Sequence, residues 1–114
     1  MTREALPDRR ASERLPFTVS RAGVPPRRFE ATIGFYPDGR VGEVFVAAAG
    51  GKAGSDMDIV LHDSAIALSF ALQHGARLDE MRETFARDAS GTPEGPLGAL
   101  VEILCAMEAG RGGQ

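Results

Sequence analysis

The stretch RFEATIGFYPDGRVGEVFVAA, residues 28–48, decides the fold. Alternate residues from Phe29 to Phe35 are apolar, which is the period-two pattern of a strand with one buried face. Pro37-Asp38-Gly39 follows and favours a tight turn, because proline fixes φ and Asp-Gly accepts positive φ. The segment VGEVFVAA (41–48) predicts the returning strand. The stretch as a whole therefore predicts a β-hairpin.

The segments before the hairpin predict a flexible arm and one more strand. Residues 1–12 are charged and poor in apolar side chains, so we expect a flexible basic N-terminal arm. Residues 13–21 alternate through Leu15, Phe17 and Val19, and Pro16 favours an edge position because it lacks an N–H. The segment AGVPP (22–26) predicts a turn or an extended linker.

The second half of the chain predicts three helices. Residues 55–74 begin with a capping pattern and end before Gly75. This helix is apolar around nearly its whole circumference, so we expect it to be central and buried by the sheet, other helices or a second subunit. Helices are also predicted over 78–87 and 97–108, and the tail 110–114 is expected to be disordered. Strands followed by helices predict an α+β fold: about three antiparallel strands packed on about three helices, in one domain spanning 13–109.

Composition narrows the class of protein. The chain has 114 residues, 43% hydrophobic and 25% charged, which is typical of one folded domain. A single cysteine, Cys105, permits no internal disulfide and suits a reducing cytoplasm. No apolar run reaches the roughly 18 residues of a membrane span, and the N-terminus lacks a signal peptide's apolar region, so a cytoplasmic protein without membrane contact is predicted.

Charge is distributed unevenly, which raises the hypothesis of an anionic ligand. Residues 1–28 carry a net charge of +4 and the remainder −7. Arginine clusters can bind phosphates, but the favoured interpretation is that the arm lies on the acidic body or is solvated. A Gly-rich loop, AGGKAGS (49–55), precedes a helix but lacks the full phosphate-binding loop pattern, and Asp56 and Asp58 would repel phosphate. The candidate binding residues for nucleotide or nucleic acid are Arg9, Arg10, Arg14, Arg27, Arg28 and Lys52.

Three further residues form a candidate polar site. Asp58 and His62 are four apart and share a helix face, and an Asp–His pair can transfer protons. Glu43 lies between apolar strand residues and is either a paired carboxylate or exposed to solvent. Neither the histidines nor the carboxylates have metal-ligand spacing, and Cys105 has no neighbouring cation to activate it. No catalytic residue, metal or cofactor is therefore predicted, and a structural histidine is favoured over a catalytic one.

Five segments together resemble a known family. They are LPDRR (6–10), TIGFYPDGRVGEVFV (32–46), GKAGSDMD (51–58), DSAIALSFALQHGARLDEMRETFAR (63–87) and GTPEGPLGALVEIL (91–104). In this order they resemble the TSCPD domain, found near the C-terminus of adenosylcobalamin-dependent ribonucleotide reductases and in short stand-alone proteins. The cysteine motif that names the family is absent here. The resemblance therefore implies a link to deoxyribonucleotide metabolism but carries over neither metal nor thiol chemistry.

Three hypotheses follow for the function. The first is a non-catalytic accessory or interaction domain that binds a protein partner or forms a homodimer through helix or sheet-edge packing. The second is a nucleotide or nucleic-acid binding module that uses the Arg-rich arm. The third is a small enzyme, which requires Glu43, Asp58 and His62 to converge in one pocket. A reductase activity would be inherited only by resemblance, since 114 residues cannot hold the reductase's catalytic barrel.

Overall fold

Three antiparallel strands form a single sheet in the order β1-β2-β3. The computed structural model describes residues 2–21, 23–49 and 54–112. The elements in chain order are β1 (Ser12–Arg21), β2 (Val24–Phe35), β3 (Val41–Ala48), α1 (Asp56–Gln73), α2 (Leu78–Met81) and α3 (Pro96–Gly112). The predicted α+β class is confirmed, with the sheet packed on the helices.

The predicted hairpin forms β2 and β3. Gly39 has a φ of 94°, and the turn closes through a 2.8 Å hydrogen bond from the Tyr36 N–H to the Arg40 carbonyl oxygen. The Asp38 carboxylate accepts a further hydrogen bond from the Arg40 N–H. The pair Asp38-Gly39 predicted this turn. The Asp38 side chain and the positive φ of Gly39 both contribute to it.

The predicted linker at 22–26 is partly wrong, because β2 already begins at Val24. Pro25 and Pro26 lie where the register between β1 and β2 shifts, and the pairing of β2 with β3 begins only at Phe29. Neither proline therefore needs an N–H for a sheet hydrogen bond. Proline is tolerated in a strand under that condition.

The long helix begins and ends as its sequence predicts. The Ser55 side chain accepts a hydrogen bond from the Asp58 N–H at 3.2 Å. At the other end Gly75 has a φ of 97°, and the N–H groups of Gly75 and Ala76 donate to the carbonyls of Leu72 and Ala71. This pair of bonds is the Schellman motif, which ends a helix at a glycine.

The other two helices differ in length from the predictions. A helix was expected over 78–87, but α2 ends at Met81. Its N-terminal residue Arg77 provides no side-chain cap, and the Thr84 hydroxyl donates to the Met81 carbonyl at 2.7 Å. Both features favour a single turn over a continued helix. Helix α3 starts at Pro96 and extends to Gly112, beyond the predicted 97–108.

The core lies between one face of the sheet and helices α1 and α3. Its members are the apolar side chains that the strands and helices direct toward each other: Phe17, Val19, Phe29, Ala31, Ile33, Phe35, Val41, Val44, Val46, Leu61, Ala65, Leu68, Leu72, Leu78, Leu100, Val101 and Leu104. The opposite face of the sheet, which we call the open face, carries Arg14, Arg28, Glu30, Thr32, Glu43 and Phe45.

The expectation of a central helix buried on all sides is met on one face of α1 only. Leu61, Ala65, Leu68 and Leu72 are buried. Five other large apolar residues remain exposed: Met57, Ile59, Val60, Ile66 and Phe70. The physical reason is the small size of the fold, since a single helix layer beneath three strands cannot surround α1.

Candidate functional site

Helix α1 covers the outer edge of β3 with two polar side chains. The Val44 N–H donates to the Ser69 hydroxyl at 2.9 Å, and the same hydroxyl lies 3.1 Å from the Val44 carbonyl oxygen. Four residues further along α1, the Gln73 amide donates to the Gly42 carbonyl at 2.9 Å. An uncovered strand edge is a template for pairing with other chains. Ser69 and Gln73 supply the partners that an additional strand would otherwise supply.

The N-terminal arm reaches the same place. The Glu4 N–H donates to the Gln73 carbonyl at 2.7 Å, and the Arg3 side chain donates to the Gln73 amide oxygen at 2.6 Å. The Tyr36 hydroxyl donates to the Glu4 carbonyl at 2.7 Å. Gln73 thus bonds both the arm and β3, which explains why this polar side chain is only 6% exposed.

Two glycines give these contacts room. A Cβ on Gly42 would lie 2.6 Å from Leu6 and 2.8 Å from Tyr36. A Cβ on Gly34 would lie 2.5 Å from the Glu43 carboxylate. Real Cβ atoms essentially never make contacts that short, so a side chain at either glycine would displace its neighbours, Leu6 and Tyr36 at Gly42 and Glu43 at Gly34.

Arg10 and Glu43 meet on the open face above Gly34. The guanidinium Nε of Arg10 lies 2.6 Å from the Glu43 carboxylate. Its Nη1 donates a hydrogen bond to the Pro7 carbonyl at 2.6 Å. The hydrogen bond to the Glu43 carboxylate raises the pKa of Arg10 above its ordinary value. The sequence left open whether Glu43 is paired or solvated, and the structure places it in this pair. Its side chain is 16% exposed.

The remaining predicted binding arginines are placed separately. Arg14 forms an ion pair with Glu30 on the open face. Arg27 lies over the Phe29 ring, 5.5 Å from its centroid. Arg9 and Arg28 are exposed. Lys52 lies outside the described residues.

Asp58, His62 and Glu43 do not meet in one pocket. The Asp58 carboxylate accepts a hydrogen bond from the Gly54 N–H at 3.3 Å, and His62 is exposed on α1. Ser69 lies beside Val44, next to Glu43 in the chain. From Ser69, Asp58 is eleven residues away along α1, roughly 16 Å at the α-helical rise. Within 2–21, 23–49 and 54–112, no cluster of three or more His, Cys, Asp or Glu side chains has the arrangement of a metal site.

Cys105 lines a polar cleft between the helices. The cleft has a volume of about 440 Å³ and is also lined by Arg77, Asp79 and Glu108. These charges already have partners, since Arg77 pairs with Asp79 at 2.8 Å and Glu108 accepts the Val41 N–H at 2.8 Å. Burial raises the pKa of the Cys105 thiol. A thiol with a raised pKa stays protonated at neutral pH and is a poor nucleophile.

The surface of α1 is the most apolar part of the described molecule's exterior. A groove of about 300 Å³ on one flank is lined by Met57, Val60, Phe85 and Leu97. On the other flank, Ile59, Ile66 and Phe70 are 51%, 38% and 50% exposed. We call these three residues the apolar stripe. No helix in the described part of the chain has both the length and the apolar character needed to cross a membrane.

Sequence analysis did not single out Ser69, Gln73 or Glu108. A signal for the first two was present, since they are the polar residues at i and i+4 within the apolar half of α1. Polar residues with this spacing on a buried helix indicate that the helix lies against unpaired backbone groups, such as those at the edge of a strand. Glu108 had no such signal, because its partner is the backbone of a residue 67 positions away.

The protein is a small α+β domain in which a helix covers the edge of an antiparallel sheet. The N-terminal arm is bonded to the same helix and completes this cover. The family model of the TSCPD domain matches residues 6–108, and the chain belongs to this family. The residues that carried the resemblance, in LPDRR, DGRVGEVF and SFALQHG, are those that form the contacts above.

Two curated relatives are similar over most of this chain. One is a vitamin B12-dependent ribonucleotide reductase of Rhodopirellula baltica, 37% identical over 84 residues, which is 74% of this chain and 7% of that protein. The other is a vitamin B12-dependent ribonucleotide reductase of Bradyrhizobium diazoefficiens, 35% identical over 83 residues, 73% of this chain and 6% of that protein. This chain thus spans only a small part of the relatives it matches. No solved structure matches it significantly.

Proposed function

We propose that this chain is a non-catalytic accessory domain that binds protein in association with a vitamin B12-dependent ribonucleotide reductase, and so takes part in deoxyribonucleotide metabolism. One observation carries the proposal. The polar side chains of the family motifs, Arg10, Glu43, Ser69 and Gln73, are engaged in contacts within the fold. Side chains bonded in this way maintain the shape of the domain, which supports a structural role for the family motifs.

The exposed apolar surface of α1 supports an interaction role. Contiguous apolar patches on a small domain commonly mark sites where another protein binds. The proposal includes self-association as one form of this binding. It places the protein in the cytoplasm, where its single cysteine remains reduced.

The cobalamin named for the relatives is not assigned to this chain. Its two histidines do not fit a cobalt ligand in a pocket, since His62 is exposed and His74 bonds the Phe70 carbonyl at 2.8 Å through Nδ1. The cavities described are about 220 to 480 Å³. A corrinoid with its nucleotide tail is larger than the ligands that such cavities enclose.

The direct test combines the purified chain with the B12-dependent reductase of the same organism. We expect a complex by calorimetry, and no ribonucleotide reduction by the chain alone when adenosylcobalamin and a thiol reductant are supplied. The Gln73→Leu variant tests whether the folded shape is recognised. It should lose the contact with the arm and therefore weaken the complex. Turnover by the chain alone, or no complex at a protein concentration of about 100 µM, would contradict the proposal.

The second candidate function is binding of nucleotide or nucleic acid. Two exposed arginines favour it, Arg9 in the arm and Arg28 on the open face. Two others are less suited to phosphate, since Arg10 and Arg14 are neutralised by Glu43 and Glu30. Deleting the arm is a poor test, because the arm also bonds Gln73.

Charge substitutions test this candidate more cleanly. The double variant Arg9→Glu, Arg28→Glu should abolish salt-dependent binding of single-stranded DNA or a deoxynucleoside triphosphate. The control Arg77→Glu, Arg82→Glu makes the same change in net charge elsewhere on the surface and should leave binding intact. Equal loss in both variants would indicate only a nonspecific effect of net charge, and no binding by the unmodified chain at low salt would remove the candidate.

A further inference from the structure

The apolar stripe lies along one side of α1. Ile66 follows Ile59 by seven residues and Phe70 follows Ile66 by four, which is the spacing of residues on one face of a helix. All three side chains are more than a third exposed. The stripe is separated from the buried face of α1 by Ser69 and Gln73, which bond the edge of β3.

Charge along the stripe changes sign from one end to the other. Asp56 and Asp63 flank its beginning, near Ile59. At its other end the Arg3 guanidinium lies 4.9 Å from the centroid of the Phe70 ring. The arm thus places a cation beside the last residue of the stripe. A surface that is acidic at one end and basic at the other complements itself when a copy is turned by 180°.

We infer that the apolar stripe pairs with the stripe of a second copy of this chain, with the two α1 helices antiparallel across a two-fold axis. In this arrangement Ile59 faces the second copy's Phe70, and Ile66 lies near the axis. Asp56 then lies on the side of the second copy's Gln73 and Arg3, and the same pair recurs across the axis. The inference rests on the proposed function in that it specifies one partner of the interaction domain.

The charges favour a second copy over a membrane surface as the occupant. Asp56 and Asp63 would repel anionic lipid headgroups at one end of the stripe. An antiparallel copy presents a cation to that end instead. Because the stripe contains only three large apolar residues, we expect association in the micromolar range rather than a permanent dimer.

Sedimentation velocity over a concentration series tests the pairing. The mass should rise from 12.1 kDa toward twice that value as concentration increases. Ile66→Glu should keep the chain monomeric throughout, with a circular dichroism spectrum like that of the parent. The matched control is Val60→Glu, which adds the same charge on the opposite flank of α1, where Val60 is 61% exposed, and should leave the dimer intact.

A charge exchange tests the orientation. Asp56→Arg and Arg3→Asp should each weaken self-association at least tenfold, because each places like charges together. Mixing the two variants should restore the dimer, because both charge pairs across the axis are then opposite in sign. A parallel or unrelated interface would give no recovery on mixing, and that result would overturn the proposed geometry.

The outcome is separable from that of the proposed function. A parent chain that stays monomeric up to a concentration of about 1 mM, or an Ile66→Glu chain that still dimerises, overturns this inference. If such a chain nevertheless binds the reductase, the proposed function stands. If the chain dimerises but binds no reductase, the proposed function fails while the pairing stands.

Discussion

Two sides of α1 have similar composition and opposite surroundings. One side packs Leu61, Leu68 and Leu72 beneath the sheet, each 6% exposed or less. The other presents Ile59, Ile66 and Phe70 at 38% to 51% exposure. Apolar character alone does not distinguish the two sides.

The polar residues of α1 distinguish them. Ser69 and Gln73 bond the edge of β3, and this fixes how the helix is rotated about its axis. Rotating α1 by half a turn would leave Val44 and Gly42 without their side-chain partners. An unpaired buried backbone group costs about 1–3 kcal/mol. Two such groups are enough to select the orientation when the hydrophobic contributions are nearly equal.

The largest effect that tests the comparison is the truncation of one leucine. Leu68→Ala should lower the free energy of unfolding by about 3 kcal/mol, since the cavity lies in a packed core. Ile66→Ala on the other side should change it by less than about 1 kcal/mol, because water already reaches that side chain. Urea denaturation of dilute protein measures both. Equal losses would show that both sides of α1 are buried in solution.

A smaller effect is expected at the strand edge. Ser69→Ala leaves the Val44 N–H without its acceptor and should cost about 1–2 kcal/mol. Hydrogen exchange of the Val44 amide should accelerate more than that of the amides paired between β2 and β3. Ser64→Ala is the control, because the Ser64 hydroxyl donates to the Val60 carbonyl within the helix and not to β3 among the described residues. If Val44 exchange were unchanged, α1 would not be covering the edge.

The open face offers a third test, on contacts outside the core. Gly34→Ala forces the Glu43 carboxylate away from Arg10 and should cost about 1 kcal/mol, since an ion pair at the surface contributes little even when it is partly covered. Adding Glu43→Ala to Gly34→Ala should recover part of the loss by removing the overlapping side chain. Gly95→Ala is the control, as its added Cβ has no neighbour within 4 Å. A loss equal to that of Leu68→Ala would mean that the open face contributes as much as the core.

The smallest effect concerns the hairpin turn and pH. Hydrogen bonds from the Arg40 backbone and side chain hold the pKa of Asp38 below its ordinary value of 3.8. The stabilisation is therefore present above the ordinary pKa and is lost as pH falls through the lowered value. As pH falls over that interval, the melting temperature of the parent should drop more than that of Asp38→Asn. Thermal unfolding at a series of pH values measures both. Identical pH profiles would mean that the turn carboxylate is not bonded when folded.

The fold was largely predictable because its local signals agree. Ser55 and Gly75 set the limits of α1, and Asp38-Gly39 set the turn. The predicted helix 78–87 failed because amphipathic spacing does not reveal a missing cap. The prolines at 25 and 26 gave a wrong linker because their tolerance depends on how far β3 extends. The extent of the pairing between β2 and β3 is a property of the tertiary structure, and the residues around the prolines do not reveal it.

The candidate site was less predictable, since its contacts join distant residues. Glu43 was identified as a carboxylate of interest, but its partner Arg10 lies 33 positions away. Asp58 and His62 were grouped by helical spacing, and no hydrogen bond joins them among the described residues. Spacing shows which residues share a helix face but not whether that face meets another functional group.

The bonds between the N-terminal arm and Gln73 also determine the order in which the molecule is completed. Arg3 and its partner Gln73 are separated by 70 positions. During synthesis the arm leaves the ribosome before α1 does, and it has no acceptor until α1 is nearly finished. Until then the edge of β3 is uncovered and can pair with another nascent chain. Slowing translation when β3 has left the ribosome but residues 69–73 have not should therefore increase aggregation of this protein, even though its final sheet is protected.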